Sequence, residues 1–145
     1  ALGRTLLGCG PGLLRSDAYC MCLEPSTQRT RMGQALEASM RRRECKEPVT
    51  MKTDCFDLKE AHLHLAPYSY PHFPIACAST ITPSGMIAAC KHGVGVLSIG
   101  AGLPGGPEAM AKQWAIYEET PAKHGKTADR GTWRHVVTAP VAEPV

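Results

Sequence analysis

The sequence predicts an α/β fold built on a parallel sheet, and three features predict it. Apolar runs of strand length alternate with stretches of helical periodicity, an order that calls for parallel strands joined by right-handed crossovers. The turns rich in glycine and hydroxyl side chains follow the carboxyl ends of those strands, the edge at which such folds hold ligands. A chain of 145 residues with 43% apolar content can bury a sizeable core as about one ordinary domain.

Arg4-Thr5-Leu6-Leu7-Gly8-Cys9 reads as the first strand, running into Gly10-Pro11-Gly12. Two glycines around a proline make a tight turn that lets a flat ligand approach the backbone. It is no dinucleotide fingerprint, because the third glycine of GxGxxG counted from Gly8 falls on Leu13. Residues 13–28 read as a polar loop. Cys20 and Cys22 lie in it one residue apart, but the chain has no CxxC pair, and no metal site is expected. A helix follows over 27–42, with Met32, Ala35, Leu36, Ser39 and Met40 toward the core and Gln34, Glu37 and Arg41 toward water. Arg29 and Arg31 precede it and carry planar forks suited to an anion. The basic run 41–46 is short and free of aromatics, and reads as a solvated helix end.

Val49-Thr50-Met51 and Cys55-Phe56-Asp57-Leu58 form a hairpin around Lys52-Thr53-Asp54. Ala61-His62-Leu63-His64-Leu65 alternates with period two, which puts both histidines on one face of a half-buried strand. Residues 66–74, with three prolines, make a rigid extended connector.

The most informative stretch is PIACASTITPSGMIAACKHG, residues 74–93. Pro74-Ile75-Ala76-Cys77-Ala78 has the length of a fully buried strand and empties into the polar turn Ser79-Thr80-Ile81-Thr82. Thr82-Pro83-Ser84-Gly85 has the form of a helix start, with Thr82 as N-cap and Pro83 at the first helical position, and Gly93 closes the helix. A strand feeding a helix N-terminus aims unpaired N–H groups at one spot, where a phosphate would sit, and the hydroxyls of Ser79, Thr82 and Ser84 would complete the cradle. The bland alternative is a capped core helix that binds no anion.

Val94-Gly95-Val96-Leu97-Ser98-Ile99 is another buried strand. The turn behind it contains GxGxxG at Gly100, Gly102 and Gly105, which admits a small nucleotide-binding module; Pro104 and Pro107 delay the helix, and no acidic residue stands at the required distance. A helix over 107–123 packs Met110, Trp114 and Tyr117 inward, Pro121 frays or kinks its last turn, Gly125 ends it, and residues 133–138 supply a last strand.

A net charge of +3 makes no electrostatic case for nucleic acid or an acidic membrane, and no window nears the roughly 18 apolar residues of a membrane span. The seven cysteines are odd in number, no secretory signal is recognisable, and Cys9, Cys77 and Cys90 lie in apolar runs. Free thiols in a reducing compartment, hence a cytoplasmic location, are expected.

GRTLLGCGPGLLRSDAY, the QRTRM helix start, PIACASTITPSGMIAACKHGVGVLSIG and WAIYEETPAKHGKTADRGTWR resemble, in that order and over nearly the whole chain, the bacterial-luciferase-like flavin-dependent monooxygenases, especially their limonene-monooxygenase-like branch. The resemblance implies a partial (β/α)8 TIM barrel, about strands four to seven, with a β-hairpin excursion. Residues 1–145 would form one luciferase-like domain, incomplete at both ends. It implies reduced FMN, or a deazaflavin, with dioxygen and a small organic substrate, and a flavin reductase as a partner. The flavin ring would lie against Gly10, Pro11, Gly12 and the strand end Cys77, Ala78 and Ser79. The phosphate would meet Arg29 or Arg31, Thr82, Ser84 and Gly85. These residues would bind and exclude water, and no acid or base catalyst is assigned.

The chain departs from the family at several places. The first three strands and the eighth are missing, Cys22 falls near a loop glycine, the 41–46 run replaces a more apolar helix end, and Pro121 interrupts a helix that usually continues. Four strands cannot close a barrel. The chain is therefore expected to be inactive alone, and a non-catalytic half-barrel remnant that self-associates through open sheet edges is the alternative.

Overall fold

In a computed structural model of the protein, the structure describes residues 5–43, 47–65, 68–69, 72–100, 104–123 and 129–135, with no account of the side chains at 121–123. The chain divides into two compact units, Ala1–Ile75 and Ala76–Val145.

The first unit opens with β1 (Leu7–Cys9), whose Leu7 N–H donates to the Pro74 carbonyl at 2.9 Å. Residues 13–28 are not a loop throughout. They hold α1 (Arg15–Cys20) and a 3₁₀ turn, Pro25–Thr27, that leads straight into α2 (Gln28–Arg43). The Asp17 carboxylate starts α1 by accepting the Leu14 N–H at 3.2 Å. Periodicity missed this helix because it has no apolar stripe: Leu14, Tyr19 and Met21 are exposed and only Ala18 is buried. Its end is a Schellman closure, with Leu23 N–H on the Ala18 carbonyl (2.8 Å) and Cys22 N–H on the Tyr19 carbonyl (3.0 Å). Cys22 consequently sits at φ +52°, the left-handed region that glycine occupies without strain.

Helix α2 buries Leu36 and Met40 as the spacing predicts, and also Ala38, whereas Ala35 and Ser39 stay exposed. Gln34, expected to face water, instead accepts the Cys55 thiol at 3.0 Å. The hairpin forms from β2 (Val49–Lys52) and β3 (Asp57–Ala61), antiparallel, with Val49 opposite Ala61. Its turn is organised by Thr53, whose hydroxyl accepts the Cys55 and Phe56 N–H groups, both at 3.2 Å. The predicted strand to Leu65 stops at Ala61, because β2 begins at Val49 and Pro48 before it has no N–H to extend the ladder. His62 and His64 lie beyond the strand, exposed, with rings edge-on at 4.9 Å. At the far end of α2, Arg43 Nη1 donates to His72 Nε2 at 2.8 Å. Residues 44–46 of the basic run and 66, 67, 70 and 71 of the proline connector lie outside the described residues.

The second unit is the parallel α/β run that the sequence predicts: β4 (Ile75–Ser79, its first residue closing the first unit), α3 (Ser84–His92), β5 (Gly95–Ser98), α4 (Gly106–Lys123) and β6 (Trp133–His135). β4 pairs parallel with β5, Ala76 with Gly95 through Ser79 with Ser98, and β5 pairs parallel with β6, Val96 with Trp133 through Ser98 with His135. Small and β-branched side chains let the helices approach this sheet, and Ala76, Cys77, Met86, Ala89 and Val96 are fully buried. Gly93 ends α3 at φ +65°, as expected, and Val94 N–H returns to the Ala89 carbonyl at 3.0 Å. α4 runs to Lys123, as the sequence predicts, with Pro121 inside its last turn. Gly125 and residues 136–138 of the predicted last strand lie outside the described residues. Tyr117 is buried on α4 and exchanges a hydrogen bond with Thr132 (2.8 Å), tying the helix to the 3₁₀ turn Arg130–Thr132 that precedes β6.

Two outcomes follow from this packing. Cys22→Gly removes the left-handed strain at the end of α1 and should raise stability by about 0.5–1 kcal/mol in chemical denaturation. Burial pushes the Cys90 thiol from its ordinary 9.0 up to about 11, with a backbone hydrogen bond pulling the other way. The folded state thus keeps a proton that the unfolded chain loses above pH 9, so this contribution is intact below pH 9 and is lost as pH rises toward 11. Cys90→Ala should flatten the fall in stability between pH 9 and 11 measured by urea titration.

Candidate functional site

In the second unit the candidate residues gather where β4 and β5 end. β4 buries Cys77 and Ser79 completely or nearly so, at 0% and 2% exposure, and leaves Ala78 half-buried. The Ser79 hydroxyl therefore does not open outward. It donates to Gln113 Oε1 on α4 at 3.1 Å, and the same amide's Nε2 donates to the Thr80 carbonyl. Gln113 is 1% exposed, so one buried amide satisfies two polar groups at the strand end. Ser98, paired with Ser79 across the sheet, is also buried.

Beyond Ser79 the chain turns through residues 80–83 into α3. Thr82 was the predicted N-cap, with Pro83 in the first turn; the structure moves this by one residue. Pro83, at φ −75° and ψ −1°, is the cap, and its carbonyl takes the Ile87 N–H at 2.9 Å. No side chain caps α3, and Thr82 Oγ1 lies 3.3 Å from Ser84 Oγ instead. The N–H groups of Ser84, Gly85 and Met86 consequently have no acceptor within the helix. Proline in this place sets a helical backbone by itself, which is why the hydroxyl is not needed as a cap.

Gly85 shows how tightly this helix start is seated. A Cβ there would collide with the Ala78 carbonyl, so the α3 backbone rests directly on the end of β4. The turn after β5 lies beside it: Ile99 N–H donates to the Ser79 carbonyl at 2.9 Å, and a Cβ on Gly100 would lie 3.3 Å from the Thr80 carbonyl. The turns at 80–83 and 99–100 thus share one rim. Of the GxGxxG pattern, Gly102 lies outside the described residues, and Gly105 adopts φ +73° just before α4.

The first unit carries the other candidates. Gly10 is exposed, Pro11 half-buried, and Gly12 sits at φ +88°, where a Cβ would approach Gln28 Nε2 to 2.8 Å. The Gly10-Pro11-Gly12 turn is thus packed on the first residue of α2. Arg29 and Arg31 do not precede the helix but occupy its first turn, Arg29 exposed and Arg31 half-buried. The start of α2 is less open than that of α3, since the 3₁₀ turn gives Gln28 N–H an acceptor in the Pro25 carbonyl. Burial holds the Cys9 thiol above its ordinary value, which keeps it protonated.

The residue that sequence reasoning missed is Gln113. It lies on the inward face at the spacing set by Met110 and Tyr117, and only its polarity disguised it.

The fold and this rim define a segment of a β/α-barrel protein with its turns collected at strand carboxyl ends. No protein-family model matches the chain. It is 40% identical over 132 residues to limonene 1,2-monooxygenase of Rhodococcus erythropolis, covering 91% of this chain and 33% of that protein. It is 36% identical over 143 residues to 4-hydroxyprotoasukamycin monooxygenase of Streptomyces nodosus subsp. asukaensis, covering 97% and 38%. Among solved structures it matches monooxygenase RslO1 of Streptomyces bottropensis with a TM-score of 0.74 at 20% identity, over 88% of this chain and 38% of that one. An F420-dependent secondary alcohol dehydrogenase, solved with an F420-acetone adduct, matches with a TM-score of 0.69 at 21% identity, over 92% and 39%. The chain thus belongs with the luciferase-like monooxygenases, as a partial TIM barrel that spans little more than a third of the length of these relatives.

Gln113→Leu should cost about 1–3 kcal/mol in denaturant unfolding, because it leaves the buried Ser79 hydroxyl without its acceptor and removes the donor to the half-buried Thr80 carbonyl. Gln113→Glu keeps the acceptor for Ser79 and should fall between. Gly85→Ala should cost at least about 3 kcal/mol by the same measurement, since the obstacle is backbone and cannot swing aside.

Proposed function

We propose that this chain carries part of the flavin site of a monooxygenase that uses reduced FMN and dioxygen to oxidise a small organic substrate, and that it does not turn over by itself. The observation that carries this reading is the uncapped start of α3, seated by Gly85 on the end of β4. Three N–H groups without helical acceptors and the hydroxyls of Thr82 and Ser84 fit a phosphate. The names of the relatives support an oxygenation reaction.

Bound flavin supplies the electrons that reduce dioxygen for oxygenation. The protein's own share is positional. The α3 N–H groups and the two hydroxyls hold the phosphate dianion, and the dipole of the helix favours its charge. Ser79 and Cys77, turned inward, make the strand end a dry, fixed surface rather than a set of ligands, leaving backbone and Ala78 to face the cofactor. Gly10, Pro11, Gly12, Arg29 and Arg31 are proposed as further flavin contacts on the family resemblance. A flavin reductase would deliver the reduced cofactor, and a deazaflavin is the alternative cofactor, in keeping with the F420-dependent structural neighbour.

The test is anaerobic equilibrium dialysis of reduced FMN against the chain mixed with the remaining barrel of the Rhodococcus relative, produced separately. Saturable binding is expected, weakened about tenfold in Thr82→Val combined with Ser84→Ala, as loss of hydrogen bonds to a charged group requires. No binding of FMN or of F420 in that mixture overturns the reading.

A further inference from the structure

We propose that Arg134 on β6 belongs to the flavin site and supplies the charge that makes it prefer the reduced cofactor to the oxidised one. The proposal rests on the flavin site already proposed and adds to it a residue that no turn or helix start contributes.

The two faces of the sheet in the second unit are told apart by what their side chains touch. Ser79 on β4 reaches Gln113 of α4, and Trp133 on β6 stacks on Trp114 of the same helix, with 5.0 Å between ring centres and 8° between planes. Those two residues therefore mark the face that the helices cover. Successive side chains of a strand point to opposite faces, so Ala78 and Arg134, each next to one of them, lie on the other face. Strand pairing joins them into one row: Ala78 is opposite Leu97 of β5, and Leu97 is opposite Arg134. Exposure agrees with this assignment. Ala78 and Leu97 are half-buried and Arg134 is exposed, whereas Cys77, Ser79, Val96 and Ser98 are buried beneath the helices.

The row starts at the residue proposed to face the flavin ring. Neighbouring strands lie about 4.8 Å apart, so the backbones at Ala78 and Arg134 are separated by about 10 Å. A tricyclic ring placed against Ala78 and lying across Leu97 covers most of that distance, and the long arginine side chain covers the rest. Ala78 and Leu97 offer the ring an apolar floor without a side-chain donor. Arg134 brings a positive charge and a planar fork of N–H groups to the end of that floor, and it makes no ion pair among the described residues. Reduced flavin carries its negative charge at the pyrimidine end of the ring, beside a carbonyl oxygen, whereas the oxidised ring is neutral. A guanidinium facing that end holds the reduced form by a charge-assisted hydrogen bond that the oxidised form cannot match. Arg130 is excluded from this role, because its guanidinium carbon lies 4.6 Å from the centre of the Trp114 ring, on the helix-covered face.

The test compares equilibrium dialysis of oxidised FMN with anaerobic dialysis of reduced FMN, both against the chain mixed with the remaining barrel of the Rhodococcus relative. Arg134 is exposed, so Arg134→Gln should fold normally and cut the preference for the reduced form about tenfold, chiefly by weakening that form. In a potentiometric titration of the bound flavin, the same tenfold loss lowers the midpoint potential by about 30 mV for a two-electron couple. Arg134→Lys should keep part of the preference, and Arg130→Gln should leave it unchanged. Equal weakening of both forms in Arg134→Gln, the result if this arginine only tied the chain to the rest of the barrel, overturns the proposal and leaves the flavin site standing, as does an unchanged ratio. Failure of the unmodified chain to bind either form overturns the proposal together with the FMN reading on which it rests.

Discussion

The second unit depends on one buried amide. Polar groups at the end of a buried parallel strand must find partners within the protein, because helices on the sheet face exclude water. Gln113 meets that requirement from α4: it accepts from the Ser79 hydroxyl and donates to the Thr80 carbonyl with the two ends of a single rigid group. The direction of the strand end, the turn after it and the place of α4 on the sheet are therefore set by one side chain. An apolar residue here could pack as well, but it would leave the turn at residues 80–83 free to choose another path.

That fixed strand end is what seats α3. The collision of a Cβ at residue 85 with the Ala78 carbonyl means that backbone touches backbone, and only glycine permits it. Gly100 stands beside the Thr80 carbonyl in a similar way, so successive turns close over the rim without side chains between them. Ala78, half-buried, the first backbone amides of α3 and the Thr82 and Ser84 hydroxyls are what the rim leaves open, so the proposed site would be made largely of main chain and small polar groups.

How far the sequence disclosed this follows from the range of each signal. The strands at 75–79 and 95–98, the helices at 28–43 and 106–123 and the glycine stop at Gly93 were legible, because apolar runs, periodicity and caps are local. Helix α1 was not, since Leu14, Tyr19 and Met21 face solvent and leave no stripe to read. The α3 start was misread by one residue because a Thr-Pro pair fits proline both as cap and as first helical residue, and only the backbone angles decide. Gln113 and the Trp114–Trp133 stack join residues distant in sequence, and no local pattern announces such partners.

The same distinction accounts for the cysteines. An odd set of thiols looks like an unfinished disulfide scaffold, yet Cys77 on β4 and Cys90 on α3 are free and buried, as small hydrophobes are. Burial also keeps the Cys90 proton on, and the thiolate rather than the thiol is the form that oxidants attack. Cys20 and Cys22, by contrast, are exposed at the end of α1, so oxidative damage would fall first on a surface turn and spare the sheet that carries the rim.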